Sequence, residues 1–61
     1  MKKQYQLFMD DKLVFEHSHF NACIGQAKYF YRQKNMKGVY RIEDVINRIG
    51  YSVNSEMLKR G

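Results

Sequence analysis

"GVYRIEDVINRIGYSVN", residues Gly38 to Asn54, decides how the rest of the chain is read. It is either a strand followed by a short helix, or the opening of a helix-turn-helix. Val39, Tyr40 and Ile42 are β-branched or aromatic, so "GVYRI" predicts a third strand from Val39 to Ile42. Ile42, Val45, Ile46 and Ile49 then fall at i, i+3, i+4 and i+7, the spacing of one helical face. Glu43 and Asp44 sit where a helix dipole favours negative charge, Arg48 where it favours positive charge, and Gly50 suits a left-handed cap. These signals predict a short second helix at 43–49. Further on, "YSVNSEMLKRG" admits a strand at Tyr51 to Val53, a helix from Ser52 or Ser55, or a loose end. Residues 54–61 are therefore set aside as a tail that can fray.

Upstream, "KQYQLFMDDKLVFEH" alternates Tyr5, Leu7 and Met9 with Leu13, Phe15 and His17, which predicts a β-hairpin. A loop of Asp10, Asp11 and Lys12 pairs Met9 with Leu13, Leu7 with Phe15 and Tyr5 with His17. That register collects the apolar set on one face. In "SHFNACIGQAKYFYRQKN", Phe20, Cys23, Ile24, Ala27 and Tyr31 form an apolar stripe, so a helix is expected over 18–35 with Ser18 as its N-cap. Its stripe covers the hairpin, which an isolated two-stranded ribbon needs in water. Gly38 breaks the chain beyond the helix end.

The expected fold is therefore a small α+β domain of ββαβ(α) layout spanning 1–61. A hairpin and a third strand pack on one main helix, with the short helix at 43–49 against the same core. At 61 residues that core is small, and domains of this size lean on disulfides, metals or partner chains. One cysteine excludes an internal disulfide and suggests a reducing, cytoplasmic setting. Neither a signal peptide nor a membrane-spanning run is evident. A homodimer is among the expectations, given the limited core and the aromatic surface.

The opening stretch also resembles the first helix and turn of helix-turn-helix regulators, including small excisionase-type DNA binders. That resemblance covers "YRIEDVINRIGYSVNS". It implies Ile42 and Val45 as buried anchors, Gly50 as the turn glycine and Ser52 as the cap of a recognition helix. The chain departs from the pattern at Glu56, where an aliphatic residue is normally buried, so the strand-and-helix reading is preferred. In size and layout the chain resembles short accessory proteins of bacteriophages and mobile elements.

Net charge is +5, and its distribution says more than its total. No acid occurs between His17 and Ile42, whereas Lys28, Arg32, Lys34, Lys37 and Arg41 all fall there. A basic middle of this kind suits a phosphate backbone or an acidic protein surface. "AKYFYRQK" adds Tyr29, pointing away from the apolar stripe with Arg32 and Gln33 one turn on. An aromatic ring framed by cations suits base stacking with phosphate contact, and equally an interface anchor. The candidate binding set is thus Lys28, Tyr29, Arg32, Gln33, Lys34, Lys37 and Arg41. Gly25 lies on that same outer face, beside Ala22.

"EHSHFNAC" brings Glu16, His17, His19 and Cys23 together in sequence, but structural zinc wants four ligands and no second Cys/His pair follows. Cys23 also lies on the apolar stripe, where a nucleophilic thiolate is disfavoured. No cofactor, catalytic residue or small-molecule substrate is expected. The reading is a non-enzymatic nucleic-acid-binding module, with a protein-binding modulator of a larger host enzyme as the alternative.

Overall fold

The computed structural model describes residues 3–59. Six elements follow in order: β1 (Tyr5–Met9), β2 (Lys12–His17), α1 (Phe20–Gln33), β3 (Tyr40–Asp44), β4 (Ile49–Val53) and α2 (Ser55–Lys59). The strands form one antiparallel sheet in the order β2-β1-β3-β4, with α1 against one face and α2 beside α1. The α+β class, the hairpin, the third strand and the main helix are all present.

The hairpin register departs from expectation at one end. Tyr5 pairs with His17 and Leu7 with Phe15, but Phe8 then pairs with Leu13 and Met9 with Lys12. Its loop is Asp10 and Asp11 alone, both left-handed at φ 52° and 67°, the backbone that two-residue hairpins require. A bulge at Val14 absorbs the one-residue mismatch that this short loop creates. A two-residue turn and a single-faced apolar set are thus reconciled by an irregular strand rather than by a longer loop.

Helix α1 begins at Phe20, not at Ser18, and ends at Gln33 rather than at 35. His19 holds the cap position with an extended backbone and no side-chain cap. Its N–H instead donates to His17 Nδ1 at 3.0 Å, so the preceding imidazole tethers the chain into the helix. At the far end Asn35 is left-handed (φ 54°), and Met36 N–H reaches back to the Phe30 carbonyl at 3.0 Å. Asparagine tolerates that conformation and stops the helix three residues before Gly38. Gly38 serves a different need: a Cβ there would stand 2.8 Å from both Asp10 Oδ2 and Met9 Cγ.

The core is Leu7, Cys23, Ala27, Tyr40, Ile42, Val53 and Leu58, fringed by Tyr5, Met9, Val14, Phe15, Phe20, Ile24, Phe30 and Tyr31. Each fully buried aliphatic contributes about 1.5–3 kcal/mol. Tyr40 is 1% exposed and satisfies its hydroxyl by donating to the Met36 carbonyl at 2.7 Å.

The predicted helix at 43–49 does not form. Residues Tyr40–Asp44 are strand, Ile49–Val53 are a fourth strand, and the four residues between make the turn. Of the presumed helical face, Ile42 is buried while Val45, Ile46 and Ile49 are 40%, 62% and 47% exposed. Asp44 is the physical reason. Buried at 3% exposure, its carboxylate accepts Ile46 N–H at 3.1 Å, Asn47 N–H at 3.0 Å, Asn47 Nδ2 at 3.0 Å and Gln4 Nε2 at 3.1 Å. Those bonds close a turn locally, the competition that keeps Asp and Asn out of helix interiors. Arg48 (φ 57°) supplies the left-handed residue that lets β4 return.

The helix-turn-helix implication falls with it: Gly50 and Ser52 lie in β4, and Val45 is exposed. The short helix is α2, where Asn54 Oδ1 caps the Glu56 N–H at 2.8 Å and Leu58 inserts at 1% exposure. Of the stretch set aside as a fraying tail, 55–59 is therefore helical, and residues 60 and 61 lie outside the described ones.

Candidate nucleic-acid interface

Helix α1 positions most of the candidate set. Its inward stripe of Cys23 and Ala27 fixes the rotation of the rod. Three- and four-residue spacing then sends Gly25, Tyr29 and Arg32 outward, with Lys28 and Gln33 on the flanks. Tyr29 is 45% exposed, Arg32, Gln33 and Lys34 are exposed, and Lys28 is half-buried. Lys34 Nζ stands 5.8 Å from the Tyr29 ring centroid, a cation beside an aromatic face. Lys37 is exposed on the segment after α1 and sits over the Tyr31 ring at 3.9 Å.

That segment is held, not free. Asp10 N–H donates to the Val39 carbonyl at 2.9 Å, and Val39 N–H donates to Asp10 Oδ1 at 3.0 Å. The hairpin turn thereby clamps the loop that carries Lys34 and Lys37.

Arg41 does not join the others. On β3 it alternates with the buried Tyr40 and Ile42, so it projects from the sheet face opposite α1. There it covers the Phe8 ring at 4.7 Å and bonds Asp11 Oδ1 through Nη1 at 2.6 Å. Its Nε lies 3.0 Å from Glu43 Oε2 without the alignment of a hydrogen bond, which makes that contact a plain ion pair. The strand alternation of β3, had it been extended through Asp44, is the signal that separates Arg41 from the helix cations.

Among the described residues, Arg41 is the one cation in an ion pair. Among the described residues, the helix side therefore presents Lys28, Arg32, Lys34 and Lys37 with no carboxylate paired to them. Two partners within this group were not foreseen from sequence: Tyr31, assigned only to the core stripe, also seats Lys37, and Asp10, assigned only to a turn, positions the loop.

The histidines and the cysteine do not assemble. Cys23 is buried, its thiol pushed up from its ordinary value by that burial, with a weak 3.9 Å contact to the Tyr5 carbonyl. His17 stacks on Phe15 with centroids 6.0 Å apart and lies tilted against His19 at 5.5 Å. Among the described residues no group of three or more His, Cys, Asp or Glu is placed to hold a metal ion. Nor is any helix there long and apolar enough to cross a membrane. No family model, curated protein or solved structure matches the chain.

Proposed function

We infer that the chain is a non-enzymatic module that binds the phosphate backbone of a nucleic acid through the outer face of α1 and the loop behind it. One observation carries this reading: Lys28, Arg32, Lys34 and Lys37 share α1 and the loop behind it with an exposed Tyr29, and among the described residues no carboxylate is paired to any of them. Unpaired cations attract phosphates, and a fixed aromatic ring offers a stacking surface to an unpaired base. The single cysteine, a buried free thiol, is compatible with a reducing cytoplasm.

Salt titration tests it. If each of the four cations meets one phosphate, the slope of log K against log salt on mixed-sequence duplex is about −3.6, and shallower on a single strand. Absence of binding at low salt, or affinity indifferent to salt, rejects the reading.

A second reading, docking on an acidic protein surface, is favoured by Gly25. A Cβ there would meet no atom within 4 Å, so another backbone can approach the exposed helix surface closely one turn from Tyr29. Pull-down from nuclease-treated lysate separates the two: a retained partner supports docking, and complete loss supports the nucleic acid.

A further inference from the structure

The two edges of the sheet are built differently. β2 is defended in the ways natural edges usually are, with Lys12 and Glu16 in the strand and the bulge at Val14 twisting it away from a neighbour. β4, at the other edge, reads "IGYSV". It holds no charge, no proline and no bulge, and its register with β3 is unbroken from Tyr40–Val53 to Asp44–Ile49. Among the described residues no hydrogen bond from outside the sheet reaches residues 49–53. Ile49 and Tyr51 are 47% and 38% exposed along it.

We propose that β4 is an assembly edge whose occupant is a second copy of this chain, joined by antiparallel β4–β4 pairing centred on Tyr51. The strand is complementary to itself in that register. Tyr51 meets its own counterpart, Ile49 meets Val53 of the second copy on the helix side, and Gly50 meets Ser52 on the far side. The flanks bring no like charges together in that register, since Arg48 faces the uncharged Asn54 of the second copy. A two-fold axis perpendicular to the sheet doubles its four strands and keeps both α1 helices on one side. The proposal is independent of the nucleic-acid reading and is tested without nucleic acid.

Sedimentation over a wide concentration series reads the mass. The expected result is a shift from one chain to two, accompanied by amide-exchange protection at 49–53 that rises with concentration. Two variants then test the register. Gly50 has open space around its Cβ position and no positive φ, and Ser52 is exposed, so both sites accept longer side chains. Gly50→Lys with Ser52→Lys sets lysine against lysine twice across the axis and weakens self-association roughly tenfold or more. Gly50→Lys with Ser52→Glu sets lysine against glutamate twice and retains it. A single-chain mass at every concentration, protection that ignores concentration, or two variants that behave alike overturns the proposal.

Discussion

The outer face of α1 and the far face of the sheet carry the same kinds of charged side chain and use them in opposite ways. On the sheet, Arg41 is spread over Phe8 and held by Asp11 and Glu43. On the helix, Lys28 and Arg32 have no ion-pair partner among the described residues. The difference lies in what the backbone places alongside. Strand alternation sets Glu43 two residues along on the same face of β3, and antiparallel pairing brings Asp11, thirty positions away, alongside, so both reach Arg41. The helix draws its neighbours from its own acid-free stretch. Charge that is already satisfied has little left to offer a ligand, whereas charge without a partner remains available to one.

The harshest way to break this contrast is to remove what supports both faces. Leu7 is fully buried between them, and Leu7→Ala should cost about 2–5 kcal/mol, enough to abolish a cooperative melt in a domain this small. Circular dichroism on heating reads the outcome.

Asp44 comes next. Hydrogen bonds from the Asn47 N–H first, then from the side chains of Asn47 and Gln4 and the Ile46 N–H, hold its carboxyl below the ordinary Asp value of 3.8, against the opposing effect of burial. A depressed folded value means the charged form stabilises the native state above pH 3.8, and that contribution is lost as pH falls through the lower folded value. Asp44→Asn should lower the melting midpoint at neutral pH and flatten its decline in acid. A mutant curve parallel to wild type would discard this assignment.

Replacing Lys28, Arg32 and Lys34 with Gln sharpens the contrast from the helix side. The duplex salt slope should become shallower by about 2.7, with the melting midpoint little changed. Tyr29→Ala should cost about 1–3 kcal/mol in single-strand affinity if one base stacks there, measured by fluorescence titration. The smallest effect belongs to Arg41→Gln. Both of its ion pairs are partly solvated, so stability should fall by less than about 1 kcal/mol while the salt slope stays put. A change in slope equal to that of a helix lysine would erase the distinction between the faces.

Much of this was legible in the chain beforehand. The stripe of Cys23 and Ala27 gave the rotation of α1 and therefore the outward direction of Tyr29. The alternation of Tyr5, Leu7 and Phe15 gave the hairpin and half its register. Where the reading failed, a local preference was outvoted by a distant partner. Ile42, Val45, Ile46 and Ile49 carry helical spacing, yet Asp44 closes a turn with the help of Gln4, forty positions away in sequence. Glu43 and Asp44 looked like one dipole-matching pair, but they lie on opposite faces of a strand, one pairing Arg41 and the other buried. Lys12 could not reveal that a bulge at Val14 would do the work assigned to a longer loop. Arg41 shared a run of basic residues with the helix lysines, and a run in sequence does not specify a side of a sheet.

The clamp between Asp10 and Val39 ties two properties that are usually inherited separately. Shortening, lengthening or neutralising the tip of the first hairpin would be felt some thirty positions downstream, in how firmly Lys37 is presented to an anion. Gly38 closes that clamp at van der Waals range, so this corner has almost no room to drift. Laboratory evolution for tighter anion capture would accordingly find its freedom along α1, and would find the first turn among the least forgiving places in the chain.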